Sequence, residues 1–245
     1  MSSLTMFGFL ALGAGRRVMS IKPGSSSKTW HCFYASVVQL SSGQSLPAEI
    51  RAYSPFNDVV HPDNTVAFIV AKAHFPAHDT LLLDAYHIIP VPGNPSDDSY
   101  DNHLPDCPHP FVLGIGSVPV KTDVLADGVS KAFEVITSEY VRDSVKSTSV
   151  QCVFDGTSPR WSNTPVPNVN SIVQFFGTCA ALTPSGVIRV NVENIVLNIG
   201  PSASSNSTSL SSPSPTKRRK FNAFVSPQPS YVLPFLLWPF FTFFS

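Results

Sequence analysis

"NSIVQFFGTCAALTPSGVIRVNVENIVLNIG" (residues 170–200) has a counterpart 106 to 107 positions upstream, "NTVAFIVAKAHFPAHDTLLLDAYHIIPVPG" (residues 64–93). Each opens on Asn and a hydroxyl residue, runs through β-branched and aromatic residues, breaks at a turn, resumes as a second apolar run and stops at Gly. The lengths, 31 and 30 residues, align with one gap. Similarity at a fixed offset is the mark of a duplicated unit. The unit is a β-hairpin. In the downstream copy Ile188, Val190 and Val192 alternate with Arg189, Asn191 and Glu193, the period of a half-buried antiparallel strand. Its partner strand sets Val173, Phe175, Gly177 and Cys179 on one face, matched upstream by Ala67, Ile69, Ala71 and Ala73. Gly177 marks a bulge or bend, a usual place for a strand glycine.

Outward from the hairpins the same rhythm continues. "WHCFYASVVQL" and "LPAEIRAYSPF" precede the first copy, and "FVLGIGSVPV", "KAFEVITSEYV" and "STSVQCVFDG" precede the second. The 23 Pro among 245 residues interrupt any long helix, and short strands punctuated by turns predict a barrel or sandwich. Residues 94–110, rich in Pro, Asp and Asn, read as a linker with almost nothing to bury.

The net charge of zero hides an asymmetry. All 16 acidic residues fall between Glu49 and Glu193, and residues 28–200 hold nine basic against sixteen acidic residues, a balance of −7. The other seven basic residues sit near the two ends. Such a core cannot rely on broad attraction for phosphates. Cys32, Cys107, Cys152 and Cys179 form no CxxC pair and read as reduced, mostly buried thiols. The histidines lack zinc-ligand spacing, so no metal or other cofactor is expected.

Residues 1–27 combine an apolar stretch, three basic residues, no acid and several serines. They read as a disordered tail or, alternatively, a mitochondrial targeting segment. Residues 201–230 are Ser/Pro-rich and predicted disordered. They carry Lys217, Arg218, Arg219 and Lys220, the pattern of a nuclear-import signal that an import receptor would read. Ser214 beside Pro215 is a candidate phosphorylation site whose charge would oppose the basic cluster. The apolar end, 231–245, holds Pro234 and Pro239 and is too short for a membrane-spanning helix, so a membrane partner is not expected.

The stretch "SVQCVFDGTSPRWSNTPVPNVNSIVQFFGTC" (residues 149–179), with a strand ending in "CVFDG", an "RW" loop and a closing hairpin, resembles the last strands of an OB-fold. The resemblance is to single-strand-binding modules of the replication protein A-like and telomere-binding type, and covers about 111–200 well and 30–93 more loosely. The overall arrangement also resembles uncharacterised mushroom-type fungal proteins. The fold expected is all-β: two small OB-like Greek-key barrels in tandem, 28–95 and 108–200, joined by a linker at 96–107. One merged β-barrel or sandwich is the alternative, because the first copy has few strands with which to close.

The resemblance implies single-strand binding by stacking bases on aromatics beside basic side chains. The candidates are Trp161 with Arg160, then Tyr140, Arg142, Lys146 and Phe176; in the first copy Tyr34, Arg51, Tyr53 and Phe56 are the counterparts. Trp161 stands in a polar loop and is either a stacking platform or a barrel plug. The "GIG" at 114–116 lacks the rest of a dinucleotide fingerprint, and no nucleophile elbow or phosphate loop is present. The function expected is a non-enzymatic nuclear module for single-stranded nucleic acid. The alternative is an OB-type protein-interaction module of a nuclear assembly, acting through barrel faces or edges.

Overall fold

The computed structural model describes residues 2–21, 24, 26–55, 59–120, 125, 127–197 and 199. Among these residues are ten strands: β1 (Ser3–Ile21), β2 (Lys28–Gln39), β3 (Ser45–Tyr53), β4 (Thr65–His74), β5 (Leu81–Pro90), β6 (Phe111–Ser117), β7 (Ser130–Val141), β8 (Ser144–Asp155), β9 (Ile172–Leu182) and β10 (Ile188–Val196). They form one sheet in the order β2-β3-β5-β4-β1-β6-β7-β8-β10-β9, and the added pairings β1–β2 and β6–β9 close it at both ends. The result is two five-stranded barrels, each of order 1-2-3-5-4-1. In each, the third and fifth strands run parallel and the other pairs antiparallel. That is the Greek-key barrel of an OB-fold, present twice.

The duplicated hairpins are β4–β5 and β9–β10, and they close their respective barrels in the same way. Asn64 and Asn170 both adopt left-handed backbone, φ 65° and 64°, which Asn tolerates. The N–H of Asn64 donates to Leu12 O and that of Asn170 to Val118 O, each at 2.8 Å. The opening Asn therefore ties each hairpin back to its barrel's first strand or the residue just beyond it. Ala67, Ile69 and Ala71 are fully buried, as are Val173, Phe175 and Cys179. A Cβ on Gly177 would lie 2.0 Å from Asn191 O, and the β9–β10 register shifts beside it, between Val192 and Asn194. Gly116 likewise leaves no room for a side chain, since a Cβ would meet Ile136 O at 2.3 Å. The "GIG" glycines therefore serve strand packing.

The first barrel has one strand more than the sequence suggests. Residues 3–21, expected in a disordered or targeting tail, form β1, and Leu4, Met6, Leu10 and Leu12 are 3% exposed or less. β1 pairs with β4 over Thr5–Leu12, with β2 from Gly13 onward and with β6 over Ser3–Phe7. It closes barrel 1 and joins it to barrel 2, so the merged-barrel alternative falls away. On its outer side Phe7 stacks with Phe111 and Phe176, and Phe9 meets Phe68 of β4 at a tilt, ring centres 5.2 Å apart. The linker also buries more than expected. Tyr100, in the short 3-10 helix Tyr100–His103, is 4% exposed and its hydroxyl accepts a hydrogen bond from Val66 N–H at 3.0 Å.

Further contacts lock the barrels together. The hydroxyl of Thr148 on β8 accepts from Phe75 N–H at 3.3 Å and lies 2.9 Å from His74 Nδ1. Burial, and after it the charge of Lys146, holds the His74 pKa below the ordinary imidazole value, which favours a neutral ring accepting the Thr148 proton. On another side, Ser41 and Ser42 N–H donate to Cys179 and Ala180 carbonyls.

Candidate nucleic-acid interface

Strand register sets the outward side chains of barrel 1 in transverse rows. One row runs Arg16, Phe33, Arg51, Asp84 and Lys72 across β1, β2, β3, β5 and β4. A second, one step toward the end of the barrel, runs Val18, His31 and Tyr53. Inward neighbours Cys32 and Tyr34 are 2% exposed, so alternation forces Phe33 and His31 outward.

The first row is largely occupied. The β7–β8 turn, Arg142–Asp143, has φ of 53° and 64°, the geometry of a tight two-residue hairpin normally made with Asn or Gly. Its side chains reach onto barrel 1. Arg142 donates through its backbone N–H to Asp84 Oδ2 (2.8 Å), and through its guanidinium to Asp84, to Glu49 Oε1 (3.2 Å) and to Glu49 O (2.9 Å). Arg51 grips the same Asp84 through Nε and Nη2 and reaches Asp143 at 2.7 Å. Phe33 lies between two guanidiniums, Arg16 at 5.3 Å and Arg142 at 5.4 Å from its ring centre. The strained turn is thus over-determined by its surroundings, as such turns must be.

The second row and the barrel rim beyond it are open. Tyr53 is 67% exposed, and its ring centre is 6.3 Å from that of His31. Burial and then the charge of Arg51 hold the His31 pKa low, so His31 offers a neutral ring. Trp30, the next residue, carries the Arg17 guanidinium 4.7 Å from its ring centre. Arg17 is held there by bonds to Ser54 Oγ (3.0 Å) and Pro55 O (2.8 Å). These pairs exist because β1 is a strand; in a segment read as a tail, Arg16 and Arg17 give no sign of being site residues.

The residues expected to bind are distributed differently. Trp161 is half-buried, its ring 5.3 Å from that of the buried Phe154, with Arg160 4.9 Å from the Trp161 ring centre. Arg160 also donates to Glu193 O. Trp161 therefore packs on one end of barrel 2, as the plug reading has it. Arg142 and Arg51 are committed to the clamp on Asp84. Phe176 belongs to the phenylalanine stack on the seam. Lys146 is half-buried on β8, opposite Glu139. Tyr140 keeps 51% exposure and shares Lys72 with Tyr86 of barrel 1, the ammonium lying 6.0 and 5.8 Å from the two ring centres. Tyr140 and Lys131, which underlies Phe154, are nine residues apart on β7, about 30 Å, so Tyr140 and Trp161 do not share one patch. Tyr34 is buried as core, whereas Tyr53 is the most exposed of the described first-copy candidates. Phe56, Ser214 and Lys217 to Lys220 lie outside the described residues.

Charge divides along the same line. Residues 1–93 hold six basic and five acidic side chains, residues 94–200 six basic and eleven acidic. The acidity assigned to the core as a whole therefore belongs to barrel 2 and the linker.

No protein-family model and no curated protein matches this chain. Among solved structures, it is similar to the wild-type single-stranded DNA binding protein from Thermus aquaticus, at 12% identity and a TM-score of 0.46, covering 88% of this chain and 97% of that one. A deletion mutant of the same Thermus aquaticus protein gives 11% identity, a TM-score of 0.45, and coverage of 81% and 96%. The fold assignment rests on the strand pairings described above: this chain is a tandem of OB-like barrels.

Proposed function

We propose that the chain is a non-enzymatic binding module for single-stranded nucleic acid, and that barrel 1 carries the contact. One observation supports this reading above others: β1 sets the Arg17 guanidinium beside the Trp30 ring of β2, next to exposed Tyr53. Stacking on aromatics with cationic neighbours suits a single strand, whose bases are free on both faces. Tyr140, with Lys72 and Tyr86, extends the row toward barrel 2. With few cations in reach, few phosphates are neutralised, and the salt slope is shallow, about −0.7 for each.

The test is binding of the full chain to a short oligothymidylate across a salt series. Arg17→Ala and Tyr53→Ala should each weaken binding by about 1–3 kcal/mol and leave the melting temperature nearly unchanged. Trp161→Ala should do the reverse, lowering the melt by loss of its packing on Phe154 and sparing affinity. Absence of wild-type binding at low salt would remove nucleic acid from consideration. A second reading, association with another protein, is favoured by the phenylalanine stack on the seam and by Ile89 and Leu113, 57% and 36% exposed. Loss of self-association on changing Phe111→Ser, measured by sedimentation, would favour it.

We place this activity in the nucleus on the strength of Lys217, Arg218, Arg219 and Lys220. Changing all four to Ala should spread a tagged chain into the cytoplasm. Unchanged nuclear retention would reduce the cluster to a solvated tail, and mitochondrial import of the wild type would overturn the placement.

A further inference from the structure

The open end of barrel 1 contains a cavity of about 390 Å³ lined by Cys32, Tyr34, Ala52, Tyr53, His61, Ala85, Tyr86, His87 and Ile88. That volume falls within the usual range for small-molecule sites, about 300–1,000 Å³. Ala52 and Ala85 face each other across the β3–β5 pair, and their small side chains keep the space open. Tyr53 and Tyr86, both more than half exposed, stand beside it. Tyr34 closes the inner side, its hydroxyl accepting the His61 N–H at 3.2 Å.

The lining has a consistent chemistry. It offers aromatic rings, hydroxyls and imidazole nitrogens, and no Lys, Arg, Asp or Glu. A phosphate or a free carboxylate would enter without a counter-charge. A neutral planar ring with donors and acceptors on its edge meets both surfaces it needs: stacking partners and hydrogen-bonding groups. Positive charge sits outside the lining: Lys72, paired with Glu139, lies 5.8 Å from the Tyr86 ring centre, and at the rim Arg17 bonds to Ser54 and Pro55 immediately after Tyr53.

We infer that this cavity receives one nucleobase of the bound strand, turned inward between Tyr53, Tyr86 and His87, while the flanking phosphate stays at the rim by Arg17. The inference rests on the single-strand reading above and adds a register to it: one position of the strand is held differently from the rest. The surface rows stack bases without distinguishing positions, whereas a recess that admits one base does.

The experiment uses the full chain and oligothymidylates carrying a single 2-aminopurine, moved one position at a time. One position should show a fluorescence change well beyond its neighbours. Tyr86→Ala and His87→Ala should abolish that singularity and weaken binding about 5–150-fold, the range of one lost stacked base. Both side chains are exposed, so the fold should be kept, and the melting curve checks that it is. If strands bind but every position responds alike, or if both variants leave the singular position unchanged, the cavity is not a base site and the single-strand reading stands without it. If no strand binds the wild type, the underlying reading fails first and the cavity assignment goes with it.

Discussion

A chain beginning at Lys28 should lose the cooperative melt of barrel 1. Residues 28–200 contain both duplicated hairpins, yet without β1 they cannot close barrel 1. The deletion strips pairing partners from β2, β4 and β6 together. It also removes Leu4, Met6, Leu10 and Leu12, all essentially buried. At about 1.5–3 kcal/mol for each large apolar side chain, the lost burial alone is on the order of 6–12 kcal/mol. That is comparable with the whole stability of a typical domain, roughly 5–15 kcal/mol. Circular dichroism melts of the full and shortened chains decide the matter. A transition of unchanged temperature and unchanged amplitude in the shortened chain would show that β1 is an accessory to a barrel closed by other means.

Asp84→Ala should be the most damaging single substitution on the barrel surface. Asp84 is 14% exposed and lies between Arg51 and Arg142, 13% and 15% exposed. Both guanidiniums, and the Arg142 backbone N–H, spend donors on this one carboxylate. Removing it leaves two sheltered cations facing each other, and breaking a buried pair from one side typically costs about 3–5 kcal/mol. It also releases a hairpin turn whose positive φ angles depend on that anchor. Chemical denaturation should therefore show a lower midpoint. A loss below about 1 kcal/mol would mean that water screens the cluster as it does an ordinary surface pair.

The sequence reveals hairpins more readily than it reveals their setting. β10 alternates because one side faces water, and the eye follows the pattern. β1 does not alternate over its first half because both sides are covered: Leu4 and Met6 by the barrel interior, Phe7 by Phe111 and Phe176 across the seam, and Phe9 by Phe68 on the adjacent β4. Such a run looks like a leader or a tail. Arg142 illustrates a different loss. A basic residue at a hairpin tip reads as a free cation until tertiary structure supplies Asp84 and Glu49 from strands some 58 and 93 residues away. Trp161 has an equal claim to loop and core in the sequence, and only the position of Phe154 distinguishes them. Tyr53 is legible as an exposed aromatic, whereas Arg16 and Arg17 become its neighbours only through a strand that has no signal of its own.

The seam between the barrels has a consequence for how the chain is made. When β4 leaves the ribosome, barrel 1 has one edge of β1 covered along Thr5–Leu12, but the partner of Ser3–Phe7 on the other edge is β6, about 40 residues later. At roughly 5–20 residues per second that interval is on the order of 2–8 seconds. During it, a bare strand edge and the Phe7 ring lie open to any neighbouring nascent chain, the circumstance in which edges pair wrongly. Crowded translation of this message should therefore be more hazardous to the protein than refolding it in dilution, because in the second case β6 is always present to reach β1 first.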